Sequence, residues 1–326
     1  MQEIIKYQLN NKDIEITILN LGASIQSIIY DGVERVLSYT DIDMYRENPF
    51  YLGSIIGQNA GRISNGELEL DGKIYKLEQN DNSNNLHGGS EGLHSKYWDL
   101  EYYVNEEDNH KLKLSTKTFE SESGFPGNVT YEAEYILEGS KITLNLYAKT
   151  DKKTYVNLTN HVYFNLNEDK SKTILNHFVQ VGSSHYCRLS KDGIPISIEK
   201  SENTVFDLKK EKKLSEIDFL KDEQTSHFGG FDHPFIMDSG TSSISCEEEN
   251  IKIEIKSNNP CMVLYTGCNI SEGVSFNESI ESKKYLGLCM EYQEEVNFMN
   301  REDSKDKVLE KDQEYSRYIS WEFSKI

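Results

Sequence analysis

Along most of this chain apolar and polar residues alternate, and polar turns interrupt the alternation. A period of two puts every second side chain on one face of an extended strand. Leu68-Glu69-Leu70 and Ile74-Tyr75-Lys76-Leu77 flank Asp71-Gly72, a pair that tolerates the positive φ angles of a type I′ turn. Leu112 and Leu114 continue the pattern, and residues 129–147 lead into Glu138-Gly139-Ser140 and out through Ile142, Leu144 and Leu146. Residues 250–255 alternate strictly, and residues 316–323 close the chain as an aromatic-rich strand. Helical periodicity is scarce; its best stretch, residues 213–220, is short. Many short antiparallel strands joined by polar turns predict an all-β fold, a sandwich or a barrel. The chain has 326 residues and only 5 Pro, with no linker and no fixed repeat, so residues 1–326 are read as one domain. The charged stretch 209–213 is the one place where a boundary could hide.

Charge narrows the partners. The 35 Lys+Arg and 55 Asp+Glu leave a formal charge of -20, which repels a phosphate backbone or an anionic bilayer. Neither nucleic acid nor a membrane is expected as a partner. Residues 1–7 include an early acid and lack an apolar core followed by small residues, so they do not read as a signal peptide. Cysteines at 187, 246, 261, 268 and 289 are odd in number and form no CxxC pair, which suits reduced thiols packed as small hydrophobes in a cytoplasmic protein. Hydrophobic residues make up 37%, yet Tyr reaches 20, so an unusually polar, Tyr-rich chain has to be explained.

Several kinds of site are excluded by motif. There is no P-loop, HExxH or GxSxG, and 88–92 (GGSEG) lacks the strand-then-helix setting of a dinucleotide loop. His185-x-Cys187 and the spacing of Cys261 and Cys268 do not match a structural zinc site, so no metal is called for. What remains are polar residues set among apolar or aromatic ones. Segment 157–166 (NLTNHVYFNL) surrounds His161 with amides and aromatics, where an imidazole could titrate near neutrality or simply be a satisfied core residue. Segment 286–293 (LGLCMEYQ) places Glu291 after an apolar run; a buried carboxylate there gains a raised pKa and suits a general base, unless it only marks the strand's exit to solvent. Arg62 beside small residues, His87 before Gly88-Gly89, and Asp232 in GGFDHP are turn-borne candidates for a ligand shell.

With these residues in place, the chain resembles the aldose 1-epimerases, also called galactose mutarotases, along nearly its whole length. The matching stretches, in order, are 57–66 (GQNAGRISNG), 84–89 (NNLHGG), 123–128 (SGFPGN), 157–166, 192–195 (DGIP) with Phe206-Asp207, 229–235 (GGFDHPF), 264–267 (LYTG) and Glu291-x-Gln293. The resemblance implies a large antiparallel β-sandwich, the supersandwich, binding a monosaccharide of galactose or glucose type without a cofactor. It further implies that Glu291 is the general base and His161 the general acid, with Arg62, His87 and Asp232 holding hydroxyls or tuning charge. The mutual attraction of Glu291 and His161 is expected to keep one ionised and the other protonated. Three departures from the family pattern stand out: Gly61 where many members have Asn, Val263 where some have a sugar-facing Gln, and Val296-Asn297 where Pro-Asp is usual.

Interconversion of the α and β anomers of a free aldohexose is therefore the expected activity. An epimerase of hexose 6-phosphates is the nearer alternative, but it needs cations around the phosphate and the matched segments offer Arg62 alone. A non-catalytic carbohydrate-binding protein is the other, since the same sandwich serves several functions. Retention of both Glu291 and His161 speaks against it. Glycoside hydrolysis would need two suitably spaced acids, for which Glu291 and Asp232 are the only pair in the matched motifs.

Overall fold

The computed structural model describes residues 2–106 and 109–326; Met1, the first residue of the N-terminal segment considered above, lies outside them. Strands β1 (Lys6–Asn10), β2 (Ile14–Leu19) and β3 (Ile25–Tyr30) form an antiparallel meander. A second sheet, of twelve strands, carries the rest of the scaffold. Its principal members in chain order are β4 (Asp99–Glu106), β5 (Asn109–Thr118), β6 (Val129–Glu138), β7 (Lys141–Thr150), β8 (Phe178–Leu189), β9 (Pro195–Lys200), β10 (Asp232–Cys246), β11 (Ile251–Ser257), β12 (Cys261–Tyr265), β13 (Cys289–Gln293) and β14 (Glu314–Ser324). Across the sheet they run β4-β5-β6-β7-β14-β11-β10-β8-β9, each pair antiparallel.

Period-two patterning decides which face each strand buries. In β6 and β7 the register sets Ala133 opposite Leu146, Tyr135 opposite Leu144 and Leu137 opposite Ile142, all of them buried. These pairs share one hydrophobic cluster with Leu9, Ile16 and Ile18 of the meander, so the two sheets pack face to face as a sandwich. Each fully buried aliphatic side chain there contributes about 1.5–3 kcal/mol. The tyrosines in this core keep their hydroxyls satisfied: Tyr135 donates to the Ala23 carbonyl at 2.6 Å and Tyr131 to Gln58 Oε1 at 3.0 Å. Much of the Tyr-rich composition thus fills sheet faces rather than a ligand site.

The expected hairpins form. Glu67–Leu70 pairs with Lys73–Lys76 across Asp71 (φ 52°) and Gly72 (φ 76°), both left-handed as a type I′ turn requires. Residues 213–220 do not form the expected α-helix. A single 3₁₀ turn spans Leu214–Glu216, and the helix comes later, at Glu223–Phe228. Two aspartates explain the shift: Asp218 bonds the Leu220 amide in a local turn, whereas Asp222 caps the helix by accepting from the Gln224 amide at 2.8 Å.

What positions the site is a fork in β10. Its C-terminal part, from Thr241 to Cys246, pairs with β11, while Asp232 to Ile236 at its start pair with β12, which in turn pairs with β13. This short branch leaves the main sheet and forms one wall of the pocket. No helix among the described residues is long and apolar enough to cross a membrane.

Candidate active site

Glu291 lies in the middle of β13, every residue of which is buried, and faces Val263 of β12 in register. His161 follows the two-residue strand Thr159–Asn160, which pairs with Ile55–Ile56. Its backbone is held from both sides: its amide donates to the Ser54 carbonyl at 3.0 Å, and its carbonyl accepts from the Gly53 amide at 2.9 Å. Gly53 has φ +66° and an added Cβ would lie 1.9 Å from the Ile25 carbonyl oxygen, so only glycine fits this clamp. Residues 130 positions apart in sequence are thereby brought together, with His161 Nε2 3.5 Å from Glu291 Oε1.

A second short pairing, Arg62–Ile63 with Asn85–Leu86, sets Arg62 beside His87. His87 adopts φ +55°, and its Nδ1 accepts the Gly61 amide at 3.2 Å. A neutral ring so held carries its proton on Nε2, the nitrogen left to donate. Asp232 enters from the start of β10. All five residues singled out in the sequence line one cavity of about 380 Å³, within the usual range for a small-molecule site.

Further residues complete the lining. Tyr51, Tyr163 and Tyr265 surround His161, with the Tyr163 ring stacked on it at 5.0 Å. Tyr51 also meets the edges of His87 and His94, each at 4.8 Å, from a left-handed backbone (φ +57°). Asp81 binds Arg62 Nε at 2.7 Å, and the guanidinium lies against Gly193, where a Cβ would sit 2.9 Å from Nη1. Sequence reasoning missed Asp81, whose polar loop carries no periodic or motif signal. Tyr163 and Tyr265 stood inside quoted motifs without being assigned a role.

Burial dominates the electrostatics. It pushes the Glu291 carboxyl well above the usual carboxylate range, with Asp232 adding to the rise and Arg62 opposing it. The same desolvation lowers His161 to about 3 and His87 well below the ordinary imidazole value. The expectation that mutual attraction keeps Glu291 and His161 in charged forms is therefore corrected: burial in this pocket favours carboxylic acid and neutral imidazole. Asp232 is also raised by burial, against the pull of Arg62. Arg62 is buried too, but Asp232, Asp81 and Glu291 outweigh that cost and hold its guanidinium charged.

The family departures cluster on this pocket. Gly61, Val263 and Val296 all line it, and a Cβ at Gly61 (φ +76°) would approach Val296 Cγ2 to 3.0 Å. Asn297 is left-handed (φ +59°) and its side chain accepts the Ser64 amide. His87, His161 and Glu291 each bring one ligand-type atom within 4.8 Å of the others. With Nδ1 of His87 engaged as an acceptor, that trio is arranged for hydrogen bonding rather than for coordination.

Comparison with known proteins gives a consistent result. A family profile described as Aldose 1-epimerase matches residues 6–322. The galactose mutarotase of Rattus norvegicus is 29% identical over 98% of this chain and 94% of its own length. The aldose 1-epimerase of Escherichia coli (strain K12) is 28% identical over 96% and 93%. Among solved structures, the galactose 1-epimerase from Lactobacillus acidophilus NCFM superposes with a TM-score of 0.88 at 26% identity, covering 99% of this chain and 95% of the other. A GalM/aldose epimerase homologue from C. elegans reaches 0.89 at 22% identity over 99% and 100%, a likeness of fold.

Proposed function

The chain belongs to the aldose 1-epimerase family, and from that membership and the geometry of the pocket we propose that it interconverts the α and β anomers of a free aldohexose. It is an isomerase working on a monosaccharide. The observation that carries the mechanism is the pairing of Glu291 with His161 at 3.5 Å inside a pocket rimmed by tyrosines. Residues 1–326 act as one catalytic domain in this reading, supported by a family match that spans 6–322.

Carboxylic acid plus imidazole and carboxylate plus imidazolium hold the same number of protons. Passing one proton from Glu291 to Nε2 of His161 therefore creates the working pair without exchange with solvent. Glu291 then removes the proton of the C1 hydroxyl while His161 protonates the ring oxygen, and the C1–O5 bond opens to an aldehyde. After a half-turn about C1–C2, His161 takes the proton back from the O5 hydroxyl and Glu291 returns its own to the aldehyde oxygen. O5 attacks the other face, the ring closes with inverted C1, and the pair is restored. His87 donates through Nε2, Arg62 stabilises oxygen as negative charge develops, and Asp232 accepts from hydroxyls.

A free sugar fits better than a phosphosugar. Arg62 is the only Lys or Arg among the described residues that line the pocket, and its Nε is engaged by Asp81. The tyrosine rings offer faces to the C–H surfaces of a pyranose. The proposed setting is the cytoplasm, in keeping with five free, buried cysteines.

Polarimetry tests the reading. Crystalline α-D-glucose and α-D-galactose, along with other free and 6-phosphorylated aldoses, are dissolved with catalytic amounts of enzyme and the rotation is followed. Faster equilibration of free aldoses than in buffer is expected; no acceleration on any sugar of the panel would sink the proposal. Glu291→Gln and His161→Asn should each lower kcat by about 10²–10⁴-fold while sugar binding persists.

A further inference from the structure

Cys289 and Glu291 are two residues apart on β13 and so project from the same face of the strand. Both reach the same imidazole, one at each nitrogen: Cys289 Sγ lies 3.5 Å from His161 Nδ1, and Glu291 Oε1 lies 3.5 Å from Nε2. We propose that Cys289 is a positioning residue that holds His161 in the tautomer with its proton on Nδ1, leaving Nε2 free to exchange a proton with Glu291.

Two observations carry the assignment together. The sulfur of Cys289, 3.5 Å from Nδ1, is fully buried and kept as a neutral thiol by desolvation, with Glu291 and Asp232 adding to that effect, so its lone pairs are available as a weak acceptor for a proton on Nδ1. On the other side the Glu291 carboxyl is protonated by burial and needs an acceptor, which the lone pair of Nε2 supplies. The remaining neighbours present rings: Tyr51, Tyr163, Tyr265 and His87, with His94 behind Tyr51. With the opposite tautomer, Nε2 would already hold a proton and the carboxyl could not pass its own across. The inference rests on the acid role proposed for His161.

The test is a two-bond ¹H–¹⁵N correlation spectrum of the full-length protein labelled with ¹⁵N-histidine at pH 7, with the His161 signals identified by their loss in His161→Asn. Wild type should show the pattern of an Nδ1–H imidazole. Cys289→Ala should shift His161 toward the Nε2–H form and lower kcat by about three- to tenfold, the worth of one weak hydrogen bond, with KM little changed. Cys289→Ser, whose hydroxyl also accepts, should keep the wild-type tautomer and most of the activity. An Nε2–H pattern in wild type, or an unchanged tautomer in Cys289→Ala, overturns the proposal. Should Cys289→Ala not fold, the wild-type spectrum together with Cys289→Ser decides. If the tautomers are as expected but His161→Asn turns sugar over at the wild-type rate, the acid role fails while the positioning role stands.

Discussion

Arg62 and Asp81 form an ion pair that ties the positive charge of the pocket to its rim, with Nε 2.7 Å from Oδ2 and both side chains about three-quarters buried. Gly193, packed on the guanidinium plane, closes its other side. The orientation of Arg62 is therefore already set, which in its proposed substrate-binding role would reduce the ordering cost of binding.

Replacing Asp81 by Asn keeps the shape and removes the charge. The expected result is a KM raised about fivefold, equivalent to ~1 kcal/mol for a partly solvated pair, with a smaller change in kcat. Initial rates by polarimetry across sugar concentrations check this; an unchanged KM would mean that Gly193 alone orients the guanidinium.

The pH dependence of turnover should not follow an ordinary histidine. Burial lowers His161 to about 3 and raises Glu291, so the pair keeps its single exchangeable proton across the whole interval between those two transitions. We expect kcat/KM to stay level from pH 6.5 down to pH 5, and to fall on the alkaline side when the pair loses that proton. A midpoint near 6.5 on the acid side would contradict the burial argument.

Stability should respond to acid in the same region for a related reason. His94 is lowered to about 4 and His161, His177 and His233 to about 3, all mainly by burial. Below pH 6.5 the unfolded chain binds protons at these sites that the folded chain does not, so their contribution is full above 6.5 and is lost as pH drops toward 3 or 4; the raised carboxyls of Glu291 and Asp232 act in the opposite sense but are outnumbered. Each such site contributes a slope of up to about 1.4 kcal/mol per pH unit. Thermal melts at pH 7.5, 6.5 and 5.5 should show Tm decreasing over the last step, before most carboxylates titrate; a constant Tm would refute the claim.

Gly53→Ala should be severe although residue 53 touches no substrate. The added methyl meets the Ile25 carbonyl and the left-handed backbone disfavours any Cβ, so a loss of ~3 kcal/mol or more is expected. Because the Gly53 amide also clamps the His161 carbonyl, the folded fraction should have reduced kcat. Chemical denaturation and polarimetry on the same sample separate the two effects.

How much was legible beforehand depended on whether a feature is local. The hairpin at Asp71-Gly72 and the burial of alternate residues in β6 and β7 follow from turn chemistry and a period of two, both contained within a few residues. Glu291 and His161 stood out because a carboxylate or imidazole in an apolar strand is costly and so conspicuous. Asp81 was invisible, since a loop aspartate acquires meaning only from the arginine it meets. Cys289 was taken for a packing residue, and its contact with Nδ1 depends on a strand pairing that no local pattern reveals.

By itself, then, the sequence determined the all-β class and the strand faces, and it singled out the two groups proposed to carry the chemistry, because these are written in spacing and residue type. Only the tertiary structure decided their ionisation and partners. The fork in β10, the Gly53 clamp and the small pairing at Arg62 bring distant segments into one desolvated pocket. Burial there reverses the charge states that free side chains would have. Desolvation depends on everything packed around a group, and no stretch of sequence contains that.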